Sequence, residues 1–426
     1  MDTIYAPSTG TPPAAIAIVR ISGPAALATA RALAGELPAP REARVRTLRH
    51  PSFGDHLDRG LVIVFPGAAT ATGEDLVELH LHGGRAVVAA VEAALATQPG
   101  LRRAEPGEFT RRALANGRID LAEAEGLGDL LTAETELQRR AALSMADGAL
   151  SRRIAQWRAD LLGLAAQIEA SLDFSGEADV PQALLDDVRS GARSVSNEMA
   201  TTLAAPTVER LRDGVRVVLA GPPNSGKSTL LNALAQREAA IVSPIAGTTR
   251  DRIEVSVARG GIPFVLTDTA GLRTSTDDAI ERIGIARADE AIAGADLVLW
   301  LGDDAPPATT MLWLHARADL PDRTNLPVGP ALLVSAQRDD TVEALWGIIA
   351  ERAGTLMPKP GDLAINARQA EHCRAAVDAL IDVKSSDELV VADGLRRANA
   401  ALARITGDVG VEAMLDALFG KFCIGK

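Results

Sequence analysis

Nine residues concentrate the chemistry of this chain: Gly221-Pro222-Pro223-Asn224-Ser225-Gly226-Lys227-Ser228-Thr229. They fit the spacing G-x-x-x-x-G-K-S, preceded by the short apolar run Val215–Ala220 and followed by a helical pattern, which is the context a phosphate-binding loop requires. Glycines let backbone N–H groups curl around phosphate oxygens, and a helix N-terminus adds partial positive charge. In such a loop Lys227 reaches the β- and γ-phosphates, the Ser228 hydroxyl ligates Mg²⁺, and Ser225, Gly226 and Thr229 complete the cradle.

Downstream blocks extend the site in order. Gly247-Thr248-Thr249-Arg250-Asp251 falls where a switch loop belongs, with Thr249 as a second Mg²⁺ hydroxyl when the γ-phosphate is present. The strand pattern Phe264–Thr267 leads into Asp268-Thr269-Ala270-Gly271, where Asp268 holds the metal through water and the Gly271 N–H senses the γ-phosphate. This order and spacing identify a P-loop GTPase domain.

Base recognition departs from the common Asn-Lys-x-Asp. After the strand pattern Met311–His315 stands Ala316-Arg317-Ala318-Asp319. Asp319 still accepts from the two guanine N–H donors, the Arg317 stem covers the base face, and the amide normally at position 316 is gone. Ser335-Ala336-Gln337 resembles the loop that closes over the base edge. Guanine is expected, held more weakly than usual, and a purine-indifferent P-loop NTPase is the reading that the lost amide leaves open.

Leu272 occupies the place where many small GTPases carry a water-orienting Gln, and leucine cannot hydrogen-bond a nucleophile. Two residues offer a substitute. Asn224 is either a loop-capping amide or, through its carbonyl oxygen, a ligand for a monovalent cation that stands in for an arginine finger. Glu281, in Ile280-Glu281-Arg282-Ile283-Gly284, is either a solvated helix residue beside Arg282 or a catalytic carboxylate.

The positioning elements follow from composition. The 426 residues predict about three domains at ~150 residues each. Ten prolines lie between Pro7 and Pro106 and ten more between Pro206 and Pro330, while none lies between Pro106 and Pro181 or after Pro360. Proline breaks helix interiors, so the proline-free stretches predict long helices and the others loop-punctuated α/β segments. Strands are expected at Ala14–Ile21 and Leu76–Leu81, helices from Leu121 to Leu172, and a C-terminal amphipathic stripe of Leu415, Leu418, Phe419 and Phe422 that must bury. The two helical blocks are expected to pack together, which makes the GTPase segment an insertion.

The formal net charge of −12 disfavours strong stand-alone RNA binding. The chain has no run of eighteen apolar residues, no basic residue precedes Arg20, and two cysteines make no disulfide framework, so a cytoplasmic protein without a membrane span is expected. Cys373 beside His372 lacks further ligands for a metal, and His80 and His82 read as structural.

Asn224, the 247–251 block, Leu272 and above all the terminus Phe422-Cys423-Ile424-Gly425-Lys426 resemble the MnmE (TrmE) family of tRNA wobble-uridine modification GTPases. Val19-Arg20-Ile21-Ser22-Gly23, Thr72-Gly73-Glu74-Asp75, His82-Gly83-Gly84, Pro106-Gly107-Glu108-Phe109, Asp120-Leu121-Ala122-Glu123-Ala124-Glu125 and Ile405-Thr406-Gly407-Asp408 carry the resemblance along the whole chain. It implies an N-terminal folate-binding and dimerisation α/β domain (1–117), a discontinuous all-α helical domain (118–211 and 356–426) and an inserted Ras-like P-loop GTPase domain (212–355).

It further implies a homodimer that works with the flavoprotein MnmG, in a heterotetramer. Together they attach an aminomethyl or carboxymethylaminomethyl group to C5 of the wobble uridine, with the one-carbon unit from 5-formyl- or methylene-tetrahydrofolate. Hydrolysis of GTP is then potassium-dependent, with K⁺ held by Asn224, Ser243, Ile245 and Thr248, and Glu281 orienting the water through a bridging water. The folate residues map to Arg20, Glu78, Arg118 and Lys426, although Arg118 replaces the usual lysine and Pro13-Ala14-Ala15 a usual glycine-rich stretch. Cys423, near Lys421 and Lys426, is either an activated thiol or a small buried hydrophobe. A regulatory RNA-binding GTPase of the ribosome-assembly type is the alternative; it calls for a basic appended module, whereas the C-terminal segment is helical and not markedly basic. The acidic balance implies that tRNA is gripped largely through the partner.

Overall fold

The computed structural model describes residues 2–174, 182–236, 239–240, 254–269, 278–320, 323, 329, 332–359, 361–385, 387–407, 418–419, 422 and 425. They fall into two units. One comprises 1–128, 145–158 and 402–426; the other comprises 129–144 and 159–401.

The first unit begins with β1 (Thr3–Pro7), β2 (Ile16–Ser22), α1 (Ala26–Ala34), β3 (Arg44–Arg49), β4 (His56–Phe65) and β5 (Leu76–His82). It continues through α2 (Arg85–Ala96), β6 (Leu101–Arg103), α3 (Glu108–Ala115) and, as far as residue 128, α4 (Leu121–Thr132). The sheet order is β3-β4-β5-β2-β1-β6, antiparallel except where β1 runs parallel to β6. Period-two alternation sends Tyr5, Val19, Ile21, Val62, Val64, Val77 and Leu79 to one face, where Ala30 and Leu33 of α1 and Val91 and Leu95 of α2 cover them. The same alternation leaves Arg20 and Glu78, cross-strand partners, on the opposite face. There Ile4, Leu76 and Ala104 pack with Phe109 of α3.

The described C-terminal residues belong to this unit. Phe419 is fully buried; the Arg111 guanidinium lies 5.4 Å from its ring centroid, and Gly107, at φ +69°, has no room for a Cβ beside the Phe419 carbonyl. Phe422 is buried against Gly128, and Gly425 sits on the Pro7 carbonyl with its own oxygen accepting from Ser8 Oγ at 2.8 Å. The expected burial of the stripe therefore holds for Phe419 and Phe422, while Leu415 lies outside the described residues.

Further along come α5 (Glu136–Ala146), α6 (Ala149–Phe174), α7 (Gln182–Ala204), α8 (Val208–Asp213), β7 (Val215–Ala220), α9 (Lys227–Ala235), β8 (Ala239–Ala240), β9 (Glu254–Arg259) and β10 (Ile262–Asp268). Next are α10 (Asp278–Ala293), β11 (Leu297–Leu301), β12 (Leu312–Ala316), β13 (Leu332–Val334), α11 (Asp339–Gly354), α12 (Ala367–Ala379) and α13 (Glu388–Thr406). In the second unit the sheet order is β13-β12-β11-β7-β10-β9-β8, with β13, β12, β11, β7 and β10 parallel. Strands buried on both faces read as continuous apolar runs, as Val215–Ala220 does. Their core includes Phe264 and Trp346, edge to face at 5.2 Å. Helices α7 and α12, from the two sides of the GTPase segment, pack on each other as expected. A capping box, Asn366 with Gln369, starts α12.

Candidate nucleotide site

In this sheet β7 is flanked by β10 and β11, so the chain reverses direction of winding there, and ligands bind outside the carboxyl ends of strands at such a point. The phosphate loop leaves β7 at that end. Gly221, at φ +142°, passes so close to Leu301 that a Cβ would lie 2.5 Å from its carbonyl oxygen. Asn224 at φ +59° and Gly226 at φ +96° complete the curl, and α9 starts at Lys227. An Asn tolerates the left-handed region better than most side chains, which suits it to this corner.

Lys227 is 4% exposed, with Nζ donating to the carbonyls of Gly221 at 3.0 Å and Pro222 at 2.7 Å. The ammonium is thus held over the loop where phosphate would arrive. Ser228 Oγ donates to Asp268 Oδ2, so hydroxyl and carboxylate from two elements converge. That pair is the hard oxygen donor set that Mg²⁺ takes. Thr269 is buried, and its hydroxyl donates to Leu219 O at 2.9 Å, which pins the strand end.

The base side of the site is built by the β12 and β13 ends. Arg317, at φ +62°, donates from Nη1 to the Asn224 carbonyl at 3.1 Å, and its stem packs beside Gly226. Sequence reading gave Arg317 a role over the base and missed this tie to the phosphate loop. Asp319 is exposed, and a hydrogen bond from Ser335, with Arg317 nearby, holds its carboxyl below the usual range. Ser335 is fully buried; its N–H donates to Thr341 Oγ1 at 3.0 Å, and its Oγ accepts from the Gln337 N–H at 3.1 Å. Ser335 therefore shapes the loop and orients Asp319, while Ala336 and Gln337 line the cavity. Asn224, Lys227, Ala316 and Asp319 line the same cavity of about 520 Å³, a volume in the range of nucleotide sites.

Ser243, Ile245, Thr248, Thr249, Ala270, Gly271, Lys426 and Cys423 lie outside the described residues, as does the Glu281 side chain within α10. Cys373, in contrast, is buried in α12 and burial pushes its thiol up to about 11, which makes it a core residue.

The expected folate residues are placed differently from one another. Arg20 Nη2 and Glu78 Oε1 form an ion pair at 2.8 Å, with Arg20 6.0 Å above the Phe109 ring. Glu78 Oε2 also faces His80 Nε2 at 3.3 Å, so both carboxylate oxygens are engaged. Arg118 donates from Nε to Thr70 O at 3.1 Å, on the neighbouring 70–74 loop. His82 Nδ1 meets Asp58 at 2.7 Å, and hydrogen bonds from His82 offset burial and lower the Asp58 carboxyl.

Residues 3–118 match the family model "GTP-binding protein TrmE N-terminus", and residues 121–423 match "MnmE helical domain". The G domain of the T. maritima FeoB iron transporter is similar over 33% of this chain and 98% of its own, at 25% identity and a TM-score of 0.25. The tRNA modification GTPase MnmE of Erythrobacter litoralis is 54% identical over 427 residues, covering 100% of both chains. That of Rhizorhabdus wittichii is 55% identical over 433 residues, covering 100% of this chain and 97% of its own. With both family models matched and such identity end to end, the chain belongs to the MnmE (TrmE) family of tRNA modification GTPases.

Proposed function

We propose that this protein hydrolyses GTP in a potassium-dependent manner and, with a flavoprotein partner of the MnmG kind, modifies C5 of the wobble uridine of tRNA. The observation that carries the reading is the phosphate loop itself: Lys227 over the Gly221 and Pro222 carbonyls, and Ser228 against Asp268, in a chain of this family. Family membership favours this enzyme over a regulatory GTPase of ribosome assembly.

Ser228 and Asp268 would hold Mg²⁺ with Thr249, and the metal would neutralise charge between the terminal phosphates. Asn224 would give K⁺ one oxygen, joined by Ser243, Ile245 and Thr248, and the ion would supply positive charge where leucine at position 272 offers nothing. Lys227 binds the phosphates, Asp319 selects guanine, and Glu281 positions water. The Arg20–Glu78 pair fits a folate's mixed donors and acceptors: a pterin N–H would join Arg20 as a donor to Glu78, and Arg20, Arg118 and Lys426 would meet its anionic end. The division at 117, 211 and 355 and a homodimer through the first domain belong to the same proposal.

The test is GTP turnover in K⁺ against Na⁺, with and without the flavoprotein. Strong acceleration by K⁺, and loss of hydrolysis with retained nucleotide binding in Glu281→Ala, support the reading. Equal rates in both salts remove Asn224 from its cation role.

A further inference from the structure

A second cavity, of about 600 Å³, lies away from the nucleotide site, between α7, the end of α12 and the short turn Asp382–Lys384. One wall is a single helical face. Arg189 and Arg193 stand four residues apart on α7, followed three and four residues later by Ser196 and Asn197. Lys384 closes the cavity from the turn, and Ile381, 55% exposed, forms its rim.

Two of the three cations of this cavity are not cancelled locally. Arg193 and Lys384 have no acidic partner among the described residues. Asp382, in the same turn as Lys384, is taken by Arg397. Arg189 places Nη1 on Asp186 at 3.0 Å and Nη2 on the Ser385 carbonyl at 2.7 Å. Its Nε is buried and has no acceptor among the described residues. A buried donor without an acceptor is costly, and a fixed cationic donor is most readily satisfied by an anionic oxygen. In a chain of net charge −12, three cations gathered in one cavity stand out.

We propose that this cavity binds phosphate groups of the tRNA backbone. Arg, Lys, Ser and Asn side chains are the ones that contact phosphate oxygens, and they make up the cationic wall. Among the described residues the cavity is lined by no aromatic side chain on which a base could stack, so the contact proposed is with backbone and carries no sequence information. The proposal rests on the reading that tRNA is the substrate and gives this chain its own, weak share of the grip.

The experiment measures binding of a fluorescent, unmodified transcript of a tRNA with a wobble uridine to the full chain, across about 50 to 200 mM salt. Arg193→Glu/Lys384→Glu should weaken binding by at least about tenfold and flatten the salt slope by about two. Arg31→Glu/Arg44→Glu, a charge-matched control in the first unit, should change neither. Arg193→Gln/Lys384→Gln should give a smaller loss in the same direction, and unaltered GTP turnover in all variants reports an intact fold. Turnover on the same samples also tests the GTPase reading separately. Wild-type tRNA affinity in both cavity variants, no measurable binding by the wild type, or an equal loss in the control overturns the proposal. So does binding of polyglutamate that is lost in the double variant while tRNA is unaffected, which makes the cavity a protein-docking site. Saturation by inorganic phosphate that leaves tRNA binding unchanged assigns the cavity to a free anion instead.

Discussion

Arg317 Nη1 donates to the backbone carbonyl of Asn224 at 3.1 Å, so the loop proposed to read the base is tied to the phosphate loop. The carbonyl belongs to the residue whose side chain is proposed to hold K⁺. Losing the guanidinium therefore loosens both ends of the nucleotide. Arg317→Ala should weaken GDP binding by roughly tenfold, the worth of a charged hydrogen bond of about 1.5 kcal/mol, measured with a fluorescent nucleotide. It should also raise the K⁺ concentration for half-maximal turnover. Arg317→Lys should restore part of both, since a lysine stem covers the base but lacks the planar fork. An unchanged K⁺ requirement in Arg317→Ala would separate the two loops.

In the proposed reading Asp319 carries guanine selection by itself, because Ala316 offers no amide. Ser335 holds the Asp319 carboxyl ionised and aimed, and an ionised carboxylate is the acceptor that two guanine N–H groups require. Asp319→Ala should bring GTP and ATP affinities together, with GTP losing about 2 kcal/mol. Ser335→Ala should produce a smaller loss of the same kind. Competition of ATP against bound fluorescent GTP measures both, and preserved discrimination in Asp319→Ala would place guanine recognition elsewhere.

How much of this was legible in the sequence depended on distance along the chain. Val215–Ala220 is found as read, because a short apolar run before a glycine loop has one local reading. The strand expected at Ala14 begins at Ile16; Ala14 and Ala15 instead bond to Gly83 outside the ladder, following Pro12 and Pro13. The Arg20–Glu78 pair joins residues 58 apart, and alternation shows which face each occupies but not which strands lie side by side. Equally hidden was the Arg317–Asn224 tie, which needs both residues at positive φ. The lysine position two before Asp319 was its one available signal.

The first unit contains an ionic network that makes its stability depend on pH. Arg112 bridges Asp2 at 2.8 Å, Glu74 at 3.1 Å and Glu108 at 3.1 Å, and Arg102 also holds Asp2 and Glu108 at 2.5 Å. Hydrogen bonding from Arg102 lowers the Asp2 carboxyl. Burial pushes Glu108 up, but bonds from Arg102, the Glu105 N–H and Arg112 outweigh it and leave it lowered. Carboxyls lowered on folding stabilise above their unfolded values of about 4 and lose that contribution as pH falls through the folded ones. Denaturant midpoints should therefore be level above about pH 5 and fall below about pH 4. Arg112→Met strands Glu74, about 11% exposed, while Arg102 keeps Glu108 paired, and should cost about 3 kcal/mol at neutral pH. The same variant should lose less at low pH, where the stranded Glu74 carboxyl protonates.

Phe419 is the described anchor of the C-terminal segment. Its ring is fully buried under Arg111, its backbone crosses Gly107 where no Cβ fits, and Phe422 follows at 5.7 Å between centroids. Removing that ring leaves a cavity beside Arg111 of helix α3 and the Gly107 turn. Phe419→Ala should cost about 3 to 5 kcal/mol in this unit, read as a fall in its denaturation midpoint. Under the proposed folate reading, release of the segment would also remove Lys426 from the ligand. The variant should then bind a reduced folate at least about tenfold more weakly, as expected when a charged hydrogen bond to an anionic ligand is lost. GTP turnover without the partner should stay near wild type, because Phe419 and the phosphate loop belong to different units. Folate binding unchanged in Phe419→Ala would detach Lys426 from that pocket, and Gly107→Ala, which pushes on the same carbonyl from beneath, should reproduce the effect in milder form.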